Sequence, residues 1–315
     1  MFTPPRVELI PLPQDQVSFQ IDGKEVTRWH FGADATRPFF YPLSGPRGVS
    51  LTRMGHPGAE NHDHHRSVWF AHAKLLGIDF WSENTEARIR QQRWFVYDDG
   101  ADEARMAVEL GWFDGHDPQP LVIQELIAIL RPLKNGEYTL DLQSTFRPQA
   151  EVIEFQQSNF GFLAVRVAKS LSVHFGDGII TGDGGRTGEP ELFGQPARWI
   201  DYSGPVALPK TGKERETVTE GITCFDHPAN HGYPNKWHVR EDGWMGLSVC
   251  RDEGLVTSRD KPLRYRFMLH VHSDPIVPER AEALAAEWAR RPFLAVRKST
   301  QPHRQFELYE VSTGA

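Results

Sequence analysis

Five of the fourteen histidines in this 315-residue chain fall between His56 and His72, and His62, Asp63, His64 and His65 stand within four positions. A solvated loop ordinarily carries Lys, Glu and Ser, so this density of imidazole points to metal ligation or proton transfer. Neutral imidazole is a good ligand and titrates near neutrality. Glu83 follows closely enough to serve as a carboxylate partner. The acid–base candidates are therefore His62, His64, His65 and Glu83. If a divalent metal is bound, His62, His64 and His65 are its candidate ligands, although no fixed-spacing motif such as H-E-x-x-H occurs. In an extended segment His62 and His64 would face one way and Asp63 and His65 the other, so only one of the two faces could form a site.

Aromatic residues interleave with this stretch. Trp69, Phe70, Phe80 and Trp81 lie close by, and indole faces suit the apolar C–H faces of sugar rings. Trp69, Trp81, Trp199 and Trp237 sit beside polar residues and are candidate ligand contacts. Further along, Gln156, Asn159 and Arg166 punctuate an otherwise apolar strand. Arg166 offers fixed donors for a carboxylate or vicinal hydroxyls if it faces a pocket, yet Asn159, seven positions away, would face the opposite side of a regular strand. Residues 181–204 read as a long glycine-rich loop over a pocket, with Glu189, Glu191, Asp201 and Tyr202 as polar candidates. The loop lacks the spacing of a phosphate or dinucleotide site. A last group holds His227, Asn230, His231 and His238, followed by His270 and His272 on one face of a strand. Distant histidine-bearing stretches converging in the fold would assemble an active site.

The elements that must position these residues are mostly strands. Runs rich in Val, Ile, Phe, Trp and Tyr, separated by Gly, Pro, Asn and Asp, extend from about residue 17 to 272. The clearest pair is Leu121 to Leu130 against Tyr138 to Phe146, turned at Asn135-Gly136, whose residues accept the positive φ of a tight hairpin. One helix is expected over Pro278 to Arg291, opened by proline, with Leu284 and Trp288 on the face that meets the sheet. The fold class is thus all-β: a large antiparallel two-sheet sandwich with one C-terminal helix, residues 1–315 as one domain, the ligand on a concave face. No 20–50-residue repeat suggests a propeller or solenoid.

Composition excludes several classes. Hydrophobic residues make up 39% and charged residues 24%, and the net charge of −7 is interspersed, without the basic stripe that nucleic acid or an anionic membrane would attract. Mean hydropathy is −0.49, and no apolar run approaches the roughly 20 residues that span a bilayer. No signal peptide is visible, and the two cysteines, Cys224 and Cys250, lack C-x-x-C spacing. Reduced thiols and a cytoplasmic location are expected. A serine or cysteine nucleophile is disfavoured, since there is no G-x-S-x-G elbow.

The combination of HDHHRSVWFAH (62–72), IDFWSE (78–83), NFGFLAVRVAKSL (159–171), GEPELFGQPARWIDYSG (188–204) and HPANHGYPNKWHVR (227–240) resembles the soluble bacterial proteins labelled methane oxygenase PmoA-like, over about residues 30 to 275. The resemblance implies a β-sandwich similar to the galactose-mutarotase-like supersandwich, often encoded beside sugar-catabolic oxidoreductases that make 3-keto-sugars. It supplies no catalytic residues. This chain departs from the pattern in a longer polar insertion near 207–218. The expectation is then a carbohydrate-active enzyme, an epimerase or a lyase or hydrolase on an oxidised (3-keto) glycoside. His62, His64, His65, Glu83 and His231 would carry acid–base chemistry, and Trp69, Trp81, Asn159, Arg166, Trp199, Tyr202, His227 and His238 would hold a small-molecule carbohydrate. The alternatives are a non-catalytic sugar-binding protein and a metal-dependent oxygenase.

Overall fold

The computed structural model describes residues 4–56, 62–209 and 216–311. Two eight-stranded antiparallel sheets account for most of it. The first runs, edge to edge, β1 (Val7–Leu12), β2 (Gln16–Ile21), β3 (Lys24–His30), β4 (Phe39–Leu43), β5 (Val68–His72), β11 (Gly161–Arg166), β16 (Trp244–Leu247) and β15 (Trp237–Arg240). The second runs β12 (Ile179–Gly182), β13 (Trp199–Ala207), β14 (Thr217–Asp226), β18 (Leu263–Ser273), β9 (Tyr138–Pro148), β8 (Val122–Pro132), β7 (Ala104–Phe113) and β6 (Arg88–Asp98). Two short ribbons, β10 (Val152–Phe155) with β17 (Leu255–Ser258) and β19 (Phe293–Lys298) with β20 (Phe306–Val311), complete the strands. The all-β, two-sheet expectation holds.

The hairpin of β8 and β9 forms as its turn residues require: Asn135 and Gly136 both take positive φ, and Leu130 pairs with Leu140. The insertion at 207–218 lies partly outside the described residues, and its described parts, up to residue 209 and from residue 216, flank the ends of β13 and β14. A five-residue helix, α1 (Gly188–Leu192), stands within the glycine-rich loop. The C-terminal helix α2 (Pro278–Ala289) ends two residues earlier than its sequence pattern suggested. Its Ala281 and Trp288 pack with Trp199, Phe225 and Met268 of the second sheet, with Leu284 beside them. No described helix is long and apolar enough to cross a membrane.

Between the sheets lies one apolar core, joined across the interface by ring pairs such as Phe70–Phe267 at 6.2 Å and Phe146–Phe162 at 4.9 Å. Side-chain alternation then decides what the other face of the first sheet presents. In β5, Val68 and Phe70 point into the core, while Trp69 and Ala71 join a separate cluster with Ala164 of β11 and Trp244 of β16. In β11, Leu163 and Val165 point inward, and Ala164 and Arg166 do not; in β15, Trp237 and Val239 point inward, opposite His238 and Arg240. Both faces of these strands are therefore committed.

Candidate active site

The second face of β5, β11, β16 and β15 floors a cleft of about 700 Å³. Its floor carries Arg166, His238, Arg240 and Trp244, with Asp242 from the turn between β15 and β16. Register places Ala164 beside both Trp69 and Gly246, and Arg166 beside Trp244, so small residues leave room between large rings. Three segments form the rim: His62–His65, Asp79–Ser82 and Gln157–Phe160.

The first rim segment is not extended. The His65 amide donates to the His62 carbonyl at 3.1 Å, which closes a tight turn and overrides strand alternation. His62, His64 and His65 accordingly all line the cleft, and the two-face restriction read from the sequence is corrected. Ring centroids lie 4.4 Å apart for His64–His65, 5.1 Å for His62–His65 and 6.1 Å for His62–His64. His65 packs against Trp69 at 5.8 Å and Trp244 at 4.5 Å. Arg37, 1% exposed, fastens this turn to the next rim segment. Its guanidinium donates to the carbonyls of His64 (3.4 Å), Phe80 (3.3 Å), Ser82 (3.1 Å) and Trp81. One Asp79 carboxylate oxygen accepts the amides of Trp81 and Ser82 at 2.7 and 3.0 Å, which presents the Trp81 ring to the cleft. Trp81 lies 5.4 Å from both Phe160 and Trp244, making an aromatic wall.

Burial decides the charge states. Desolvation, with the neighbouring His64, Arg166, His62 and His56, pushes the His65 imidazole far below its usual range. Burial, with Arg251 and Arg240, lowers His238 to about 4. Both rings are neutral near pH 7. Arg166, its side chain fully buried, donates to the two carboxylate oxygens of Asp242 at 3.0 and 3.3 Å. Burial resists ionisation of Asp242, but this bidentate bond and the Arg166 charge outweigh it and hold the carboxyl low. Several buried donors or acceptors around the cleft have no partner among the described residues: Nδ1 of His65 and His238, Nε1 of Trp69 and Trp244, and Nε of Arg166. Buried polar atoms are rarely left unpaired, so this concentration marks a place where a polar ligand would complete the hydrogen bonding.

Of the residues proposed from sequence, the cleft gathers His62, His64, His65, Trp81, Asn159, Arg166 and His238, with Trp69 behind His65. Asn159 reaches it because it precedes β11 and escapes strand alternation. Others are placed elsewhere. Glu83 is ion-paired with Arg66 at 2.5 Å and does not line the cleft. Trp199 packs under α2, its indole donating to Glu282 at 2.9 Å. Tyr202 is a core residue whose hydroxyl donates to the Arg240 carbonyl. His227 packs edge-on to Trp288 and Phe293. His231 is exposed. Trp237 is core, its indole bonded to the Ala197 carbonyl. His270 and His272 are buried in the second sheet, paired with Glu137 at 3.1 Å and Asp201 at 2.8 Å. A polar neighbour in sequence does not reveal which face of a strand a ring takes, and that is why these were misplaced. Arg37, Asp79, Asp242 and Trp244 were missed, since each gains its role only from contacts with distant segments. Among the described residues, no group of three or more His, Cys, Asp or Glu side chains is arranged to hold a metal ion.

A family model described as "Family of unknown function (DUF6807)" matches residues 16–286. The methane oxygenase PmoA-like designation finds no support in these comparisons. No curated protein sequence matches the chain. Among solved structures, a 4-alpha-glucanotransferase from Thermococcus litoralis aligns over 86% of this chain at 10% identity and a TM-score of 0.33, and the chain spans 40% of its length. A GalM/aldose epimerase homologue from C. elegans aligns over 86% of this chain and 99% of its own at 6% identity and a TM-score of 0.32. At such scores neither likeness carries an argument about activity.

Proposed function

We propose that this chain, which belongs to the DUF6807 family, is a carbohydrate-active enzyme that moves a proton on a sugar, as an epimerase or as a lyase or hydrolase on an oxidised glycoside. The observation that carries the proposal is the neutral imidazole of His65, held between Trp69 and Trp244 and 4.4 Å from His64, at the edge of an aromatic-walled cleft. Burial keeps the His65 imidazole unprotonated across the physiological range, and so open to a proton, while lowering its basicity. A carbanion formed beside a carbonyl needs stabilisation of its oxygen, for which the fixed Arg166 guanidinium and the unpaired Trp244 indole N–H are suited. The rings of Trp81, Phe160 and Trp244 supply apolar faces for a pyranose, and Asn159, Asp79 and Arg240 supply hydroxyl partners. His65 is assigned as base, His64 as its partner in proton exchange, and His62, Trp81, Asn159, Arg166 and His238 as binding residues. Glu83, His231, Trp199, Tyr202 and His227 are assigned no part in the reaction.

The same reading takes residues 1–315 as one domain, supported by a core that draws on both sheets. It also takes the protein as cytoplasmic, supported by two buried, unbridged thiols. The test is incubation with 3-keto-glycosides and free aldoses, comparing the wild type with His64→Ala and His65→Ala, with and without chelator. Turnover that collapses in His65→Ala supports the proposal, and unchanged turnover in both variants removes the cluster from the mechanism. Binding without turnover moves the protein to the sugar-binding class. Activity lost to chelator and restored by one metal makes the proton transfer metal-assisted, and only turnover that consumes dioxygen favours the oxygenase alternative.

A further inference from the structure

A second compartment of about 570 Å³ adjoins the cleft and shares Arg240 and Asp242 with it. Its other lining residues include His56, His174, Phe175, Glu189 and Phe193. Here Phe175 is 39% exposed, with Arg53 at 5.9 Å and Lys169 at 5.7 Å from its ring centroid and the His56 and His174 rings beside it. The wall between the compartments is shared as well: His238, on the floor of the first, contacts the Phe193 ring at 5.0 Å. At the junction the His56 ring lies 3.8 Å from the Asp242 carboxylate.

From this continuity we infer that the substrate has two rings, a disaccharide or glycoside whose first sugar occupies the cleft and whose second unit lies against Phe175 and Phe193. The inference rests on the sugar-processing reading of the cleft and narrows it, because a free monosaccharide would leave the second compartment empty. The chemistry of the lining specifies the second unit. The carboxylates of Glu189 and Asp242 are already paired, with Arg240 at 3.0 Å and with Arg166 at 3.0 Å, and Glu189 also accepts the Glu241 amide at 2.7 Å. A phosphate or uronate would have to displace Glu189 or Asp242 from its guanidinium partner. A neutral hydroxylated ring would not, and it would gain a phenyl face for stacking. Volumes of 570 and 700 Å³ each lie within the range of single small-molecule sites.

Isothermal titration of the full chain with glucose, galactose and xylose, with cellobiose, lactose, maltose and phenyl β-glucoside, and with the 3-keto forms of glucose, cellobiose and phenyl β-glucoside, tests this. For at least one sugar series the two-ring ligand is expected to bind about tenfold more tightly than its monosaccharide. Phe175→Ala, at a 39% exposed position, and Glu189→Gln should each draw that ratio towards one, with unchanged urea midpoints confirming that both variants fold. Equal binding of one-ring and two-ring ligands, or a ratio that neither substitution alters, overturns the inference while leaving the cleft a sugar site. Absence of binding by every sugar overturns the sugar reading itself, and this inference with it.

Discussion

Protonation of His72 supplies a test of how far burial governs the imidazoles of this fold. The residue is fully buried at the end of β5; its Nε2 lies 3.0 Å from the Gln156 carbonyl, and its Nδ1 has no partner among the described residues. Burial lowers it from 6.5 to about 4, against the smaller opposing pull of the Gln156 carbonyl. The unfolded chain, in which this imidazole titrates near 6.5, therefore binds a proton that the folded chain refuses. The stability contributed is fully present above pH 6.5 and drains away as pH falls towards 4. At pH 5 the difference is about 1.5 units, or about 2 kcal/mol at 1.36 kcal/mol per unit, a large share of a typical stability of roughly 5–15 kcal/mol. His72→Gln keeps a donor for Gln156 and cannot titrate. Urea midpoints measured for both proteins at pH 7 and pH 5 should show the wild type losing about 2 kcal/mol more than the variant across that interval. Equal losses would refute the argument that desolvation sets the imidazole charge here, and would weaken the same argument for His65.

Other expectations concern the cleft and its supports. His65→Gln should lower turnover by roughly a hundredfold or more while leaving the urea midpoint near that of the wild type, and activity within tenfold of wild type would discount the residue as base. With His65 and His238 both held neutral by burial, the acid limb of kcat/KM should lie below pH 6.5; a limb at 6.5 would show an unperturbed imidazole in control. Gly161→Ala places a Cβ 2.4 Å from Nδ1 of His72 at a φ of +142 that side chains rarely adopt, so a loss of about 2 kcal/mol or more is expected in urea unfolding. Arg37→Met strips four carbonyls of their shared donor; a melting point unchanged within a degree would show that the rim does not depend on it.

Much of the scaffold was legible because it rests on local rules. Asn135-Gly136 dictates its hairpin and the proline-led, alanine-rich run dictates α2; alternation in β9 dictates a strand, but its polar face, with Asp141 and Gln143, is buried where the pattern predicted a solvated one. Histidine density drew attention to what forms one rim of the cleft, since so many imidazoles in one short stretch have few structural uses. The strand β1 and the terminal ribbon of β19 and β20 were not anticipated: their partners lie in other strands, and their sequences lack a strong alternating pattern. Non-local geometry also hid half the site. Asp242 matters because Arg166 is buried opposite it, and Trp244 because β16 pairs with β11. His270 and His272 were correctly placed on one strand face, yet that face meets Glu137 and Asp201 rather than the cleft.

The double commitment of β5, β11, β15 and β16 limits how this scaffold can diversify. A mutation that enlarges Ala164 or Gly246 to reshape ligand preference acts on residues whose strand neighbours hold the two sheets together, so gains in selectivity there are bought with folding yield. The rim is freer only in part: His65, Phe80 and Trp81 are buried, whereas Gln157 and Phe160 are exposed. Laboratory libraries aimed at new substrates should accordingly concentrate variation at those exposed rim positions and leave the floor unaltered.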